Sequence, residues 1–280
     1  MSGDANRSFG ARLSEAMAER GPLCVGVDPH PALLEAWGLP TDVGGLERFA
    51  LTATEALAGS VAVLKPQSAF FEAYGAAGVA VLERVLATAR DGGALVLLDV
   101  KRGDIGSTMA AYTAAYLADG APLAADAITV SPYLGFGALN VAVEQARRSG
   151  RGVFVLARTS NPEGFPVQRA IADGTTVAQS IVDEAAACNE GADPLGDVGV
   201  VVGATVEPGE VVLDRLNGPI LAPGFGAQGA TVEDLRRVFG ANARGLLPTS
   251  SREILRHGPD VAALTAAAER TRDALASILP

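Results

Sequence analysis

Residues 94–104 read Ala-Leu-Val-Leu-Leu-Asp-Val-Lys-Arg-Gly-Asp, an apolar run that ends in a cluster of opposite charges. A run with no polar alternation suits a strand covered on both faces, as in a parallel sheet. Outward from it, short runs of the same kind recur at 23–27, 61–64, 127–130, 152–156, 198–202, 220–222 and 244–247. With 94–99 they make eight candidate strands. Between them lie longer Ala-rich, amphipathic segments at 44–58, 76–91, 107–117, 139–149, 176–188, 231–239 and 261–278. Strands alternating with helices predict an α/β fold, and eight of them predict a closed (β/α)8 TIM barrel. An open doubly wound sheet is the alternative, but no GxGxxG follows the first strand.

The chain has 280 residues, 49% of them hydrophobic, which suffices for one large barrel core. No linker, low-complexity run or charge block divides it, so residues 1–280 read as a single domain. A net charge of −10 argues against nucleic acid and anionic membrane as general partners. The two cysteines, Cys24 and Cys188, stand outside any CxxC or Cys/His spacing and read as free thiols. The first residues lack an apolar core of signal-peptide length, and the expected location is cytoplasmic. The Pro/Gly-rich stretch 160–174 reads as a long loop after the fifth strand.

In such a barrel the chemistry sits at the C-terminal strand ends. Asp28 follows the first candidate strand and Lys65 the second. The third ends in Asp99 and Lys101, which alternation along a strand puts on one side. Asp104 follows past Gly103, where the chain turns. An array of Lys65, Asp99, Lys101 and Asp104 would keep each charge paired and suits delivery of a proton from an ammonium. A structural salt-bridge network is the competing reading.

The seventh and eighth strand ends read as a phosphate site. Gly224, Gly226 and Gly229 would leave backbone N–H groups accessible, a helix starts near Thr231, and Arg252 can make a bidentate contact. His30 and His257 are isolated and read as surface or helix-end residues, so no metal is expected. Trp37, Phe70 and Phe71 read as packing residues, and no serine sits in a GxSxG elbow.

The segment LLDVKRGDIGST at 97–108 resembles the Asp-x-Lys-x-x-Asp-Ile signature of orotidine 5′-phosphate decarboxylases. VGVDPHP at 25–31, LKPQSAFFEAYG at 64–75, VSPYLGFGAL at 130–139, RTSNPEG at 158–164, APGFGAQGA at 222–230 and SSREIL at 250–255 resemble the family's longer-chain bacterial branch. Gly103 and Gly106 stand where the shorter-chain branch commonly has His and Pro.

The resemblance implies conversion of orotidine 5′-phosphate to uridine 5′-phosphate and CO2 in de novo pyrimidine biosynthesis, with no cofactor. It implies that Lys101 protonates C6, that Asp99 lies against the substrate carboxylate, and that Lys65 and Asp28 bind ribose hydroxyls. Ser160 would contact the pyrimidine, Gln228 would link ring and phosphate, and Arg252 would bind phosphate. Asp104, Ile105 and Thr108 would reach into a partner subunit's site, making the enzyme a homodimer with shared active sites. Two rivals remain at this stage. One is a metal-dependent sugar-phosphate decarboxylase or aldolase of the same superfamily. The other is a barrel that binds nucleotide without catalysis.

Overall fold

The computed structural model describes residues 7–226, 229–240 and 244–276. Eight parallel strands close into a barrel: β1 Cys24–Val27, β2 Val63–Pro66, β3 Leu95–Arg102, β4 Ala127–Val130, β5 Gly152–Arg158, β6 Val198–Val202, β7 Ile220–Pro223 and β8 Leu246–Ser250. Each pairs with its sequence neighbours, and β1 closes on β8 through Cys24–Thr249 and Val25–Ser250. The expected barrel is therefore the observed one. β2 and β8 sit about two residues later than their candidate runs, so Lys65 lies inside β2 rather than after it.

The inward side chains form one cluster, which includes Val63, Leu97, Ala127, Phe154, Val201, Leu221 and Leu247. The outward side chains form a second, larger cluster against the helices. Burial on both faces is why the strands read as continuous apolar runs. The principal helices of the ring are α2 Val43–Leu57, α3 Gly75–Asp91, α4 Gly106–Leu117, α5 Asn140–Arg148, α6 Val177–Cys188, α7 Val232–Phe239 and α8 Val261–Ala276. Residues 277–278 of the last candidate helix lie outside the described residues. Caps fix several of the starts. Asp42 accepts from the Gly45 amide at 2.8 Å, and Thr231 with Asp234 forms a capping box.

Besides several short helices of four to six residues, one long helix was not expected. α1, Phe9–Arg20, packs Phe9, Leu13 and Ala16 into the inner cluster. Phe9 meets Phe154 edge-on with ring centroids 6.0 Å apart. Phe9 and Leu13 are essentially fully buried, and each such side chain contributes roughly 1.5–3 kcal/mol. α1 plugs the end of the barrel opposite the strands' C-termini, leaving that other end for the site.

The stretch 160–174 is not the plain loop expected. It contains a one-turn helix, Phe165–Gln168, and enters a small hairpin that pairs Ile171–Ala172 with Thr175–Thr176. Asp173 and Gly174 both have positive φ, 52° and 85°, as a tight two-residue hairpin turn requires. Between β6 and β7, by contrast, residues 203–219 form no helix.

Candidate active site

A cavity of about 460 Å³ opens at the C-terminal end of the barrel, and all eight strand ends contribute to its lining. Asp28, Lys65, Asp99, Lys101, Ser160 and Arg252 all line it, as the sequence predicts.

The centre of the charge network is Asp99, which is 6% exposed. The Lys101 ammonium lies 2.7 Å from each of its carboxylate oxygens. Lys65 Nζ lies 3.4 Å from Asp99 Oδ2 and 4.0 Å from Asp28 Oδ1. Charge thus alternates from Asp28 through Lys65 and Asp99 to Lys101. Burial alone would push the Asp99 carboxyl up, but Lys65, Lys101 and the hydrogen bonds from Lys101 and Thr129 hold it below its ordinary value. Burial would likewise pull the Lys65 ammonium down, but Asp28 and Asp99 outweigh it and raise its pKa. Both groups remain charged at neutral pH.

The local backbone departs from simple strand alternation. β3 pairs Leu98 with Ile128 and then Arg102 with Val130, so β3 carries a bulge opposite Thr129. Lys101 has a φ of 45°, which a non-glycine residue adopts at a cost of roughly 1–3 kcal/mol. Its amide donates to Thr129 Oγ1 at 3.0 Å, and that hydroxyl donates to Asp99 Oδ1 at 2.6 Å. The bulge re-aims Lys101 while Thr129 ties it to Asp99. Gly103 follows because a Cβ there would meet the Ser131 carbonyl oxygen at 2.3 Å.

Thr129 is the functional residue that sequence reasoning missed. Its signal was a lone hydroxyl in the otherwise apolar β4. His30 and Phe70 also line the cavity, with ring centroids 5.1 Å apart. His30 is the helix-end residue expected, at the N-cap position of Pro31–Ala36, and Phe70 packs against the core as expected while also lining the cavity. Trp37 and Phe71 are buried as packing residues.

Asp104 does not join the array of its own chain. It lies outside the cavity lining, where its carboxylate accepts from the Ile105 amide at 2.8 Å. Ile105 is 60% exposed, and Thr108 is exposed as well. The chain's turn at Gly103 carries all three away from Lys101.

At the β7–β8 side, Gly224, Phe225 and Arg252 line the cavity. The Arg252 side chain is exposed and makes no hydrogen bond or ion pair to any described residue. The expectation of open glycine amides needs correction at Gly226 and Gly229. The Gly226 amide donates to the Ala230 carbonyl at 2.9 Å and the Gly229 amide to the Gly226 carbonyl at 2.8 Å, closing a tight turn. Gln228 lies outside the described residues. Among the described residues, no three His, Cys, Asp or Glu side chains come together as a metal site. Cys24 and Cys188 are unpaired, and no described helix is long and apolar enough to cross a membrane.

Comparison with known proteins bears on what this geometry serves. The model of the orotidine 5′-phosphate decarboxylase / HUMPS family matches residues 21–267. The orotidine 5′-phosphate decarboxylase of Salinispora tropica is 63% identical over 264 residues, covering 94% of this chain and 95% of that one. That of Streptomyces coelicolor is 60% identical over 263 residues, covering 94% and 95%. A Streptomyces avermitilis crystal structure superposes with a TM-score of 0.96 at 58% identity, covering 100% of this chain and 98% of that one. Leishmania donovani OMP decarboxylase does so with a TM-score of 0.75 at 30% identity, covering 97% and 98%. The likeness runs through every strand end that lines the cavity, and this chain belongs to the orotidine 5′-phosphate decarboxylase / HUMPS family.

Proposed function

We propose that this chain decarboxylates orotidine 5′-phosphate to uridine 5′-phosphate and CO2, with Lys101 as the proton donor. The observation that carries this reading is the Lys101 ammonium held 2.7 Å from both oxygens of a buried carboxylate inside the cavity. When the C6–carboxylate bond breaks, its electron pair stays on C6, where resonance offers little help. A cation already fixed at that position stabilises the developing charge without reorganising. Lys101 then gives a proton to C6. With its side chain 47% exposed, it is open to reprotonation from solvent.

Asp99 would face the substrate carboxylate, a repulsion relieved as CO2 departs. Asp28 Oδ1 is buried without a hydrogen-bond partner, which suits a ribose hydroxyl as donor. Lys65 would hold a second hydroxyl, Ser160 the pyrimidine, and Gln228 and Arg252 the phosphate. Energy from the remote phosphate then helps to offset the cost of orienting the ring.

The same reading makes the enzyme a homodimer. Ile105 at 60%, Tyr133 at 80% and Leu134 at 53% are exposed apolar residues on loops that touch where Gly103 meets Ser131. A second copy packed there would receive Asp104, Ile105 and Thr108 at its own cavity. A cytoplasmic location is part of the reading, supported by the free thiols.

The test of the reaction is loss of ultraviolet absorbance on adding orotidine 5′-phosphate, with and without EDTA. Turnover that persists in EDTA is expected. Turnover that needs a divalent metal would point to the metal-dependent branch, and none at all to a binding barrel. Mixing inactive Lys101→Ala and Asp104→Ala subunits should restore about one quarter of the activity after statistical exchange, since each mixed dimer then holds one intact site. No recovery would count against shared sites.

A further inference from the structure

Arg158 ends β5, is 1% exposed, does not line the cavity, and has no part in the steps above. Its Nε donates to Glu210 Oε2 at 2.5 Å. Glu210 comes from the helix-free connection between β6 and β7, and its other oxygen accepts from Arg169. Both guanidinium groups lie over the Phe165 ring, 4.3 Å and 4.2 Å from its centroid. Two cations, one carboxylate and one aromatic ring therefore lock β5, the Phe165–Gln168 turn and the β6–β7 connection together.

What this cluster holds is the cavity wall. Arg158 also donates to the Thr159 carbonyl and to Gln168 Oε1. Gln168 Oε1 accepts from the Thr159 amide at 3.0 Å, and its Nε2 donates to Thr159 Oγ1 at 2.7 Å. Thr159 Oγ1 donates to Asn161 Oδ1 at 2.7 Å. The carbonyl of Arg158 accepts from Gly203, where a Cβ would already crowd Ser160. Thr159 and, through it, Asn161 are tied from behind to Arg158 and Gln168, which do not line the cavity, while Gly203, itself cavity-lining, backs Ser160.

We propose that Arg158, Glu210, Arg169 and Phe165 are positioning residues that set the Thr159–Asn161 wall against the base of a bound nucleotide, so that they govern recognition of the ring and not of the sugar phosphate. The proposal rests on the reading of the cavity as a pyrimidine nucleotide site. Topology separates the two ends of that ligand. The wall lies on β5, whereas Arg252 follows β8, with β6 and β7 between them around the barrel.

The test compares dissociation constants for uridine 5′-phosphate and ribose 5-phosphate in wild type and two variants. Glu210→Gln keeps the shape and removes the shared charge. Arg169→Ala alters the exposed end alone and decides the matter if the first variant folds poorly. Small displacements of a positioned group cost up to about a hundredfold, so Glu210→Gln should weaken uridine 5′-phosphate about tenfold and Arg169→Ala about threefold. Ribose 5-phosphate should stay within about twofold in both. Equal losses for the two ligands would mark a merely structural cluster and overturn the proposal, as would unchanged uridine 5′-phosphate affinity. Failure of the wild type to consume orotidine 5′-phosphate would refute the catalytic reading, while the ratio of the two affinities still judges the clamp.

Discussion

On the β1–β4 side of the mouth, Asp28, Lys65, Asp99, Lys101 and Thr129 hold one another at distances of 2.6–4.0 Å. On the β7–β8 side, the Arg252 side chain has no such partner among the described residues, and the Gly226 and Gly229 amides are taken by carbonyls. The first side is assembled before any ligand arrives. On the reading proposed above, the second presents a cation for the ligand's phosphate. A fixed electrostatic environment accelerates the chemical step, whereas contacts to a remote group supply binding energy. The two sides should therefore fail differently when mutated.

The largest effect is expected on the assembled side. Lys101→Ala should lower kcat by at least about a thousandfold, because it removes both the stabilising cation and the proton. Affinity for uridine 5′-phosphate should change little, as calorimetry can check. Arg252→Ala should act mainly on KM, raising it about ten- to a hundredfold through loss of a charge-assisted phosphate contact. A fall in kcat alone would erase the distinction between the sides. Thr129→Val keeps the shape but removes the hydroxyl that ties Lys101 to Asp99. A tied group that loosens should cost about tenfold in kcat with KM held, read from steady-state kinetics.

The smallest effect is on stability. Burial opposes the Asp99 charge, yet its neighbours hold its pKa below the ordinary 3.8. Its contribution is therefore in place above that value and is lost as pH falls through the folded-state pKa. Burial opposes the Lys65 charge too, but Asp28 and Asp99 raise its pKa above the ordinary 10.5. That contribution is complete below 10.5 and is lost as pH rises through the folded-state pKa. These two groups should leave urea-unfolding stability level from about pH 5 to 9. Asp99→Asn should reduce the acid-side loss, and an unchanged acid limb would place its cause elsewhere.

Much of this was legible in the sequence because a parallel barrel buries both faces of each strand. Runs such as Val198–Val202 then announce themselves, and the polar residues that end them mark the site. Asp99 and Lys101 were found that way. Their geometry was not, because a bulge and a positive φ leave no mark in residue spacing. Thr129 looked like an ordinary strand residue, and its part depends on β3 lying beside it. α1 escaped notice since its Phe9, Leu13 and Ala16 spacing gains meaning only against the open end of a barrel. The hairpin at Asp173-Gly174 carried a readable turn signal inside a stretch otherwise rich in Pro and Gly. Asp104 was misplaced within its own chain by the same logic that found Asp99, because spacing along a strand does not follow the chain past Gly103.

The central claim is that Lys101 moves the proton at C6, and the reverse transfer tests it without the carboxylate. Uridine 5′-phosphate incubated with wild-type enzyme in D2O should slowly take up deuterium at C6, observed by proton NMR. Lys101→Ala should bind the nucleotide and leave that proton in place. Exchange at the wild-type rate in the variant would contradict the account.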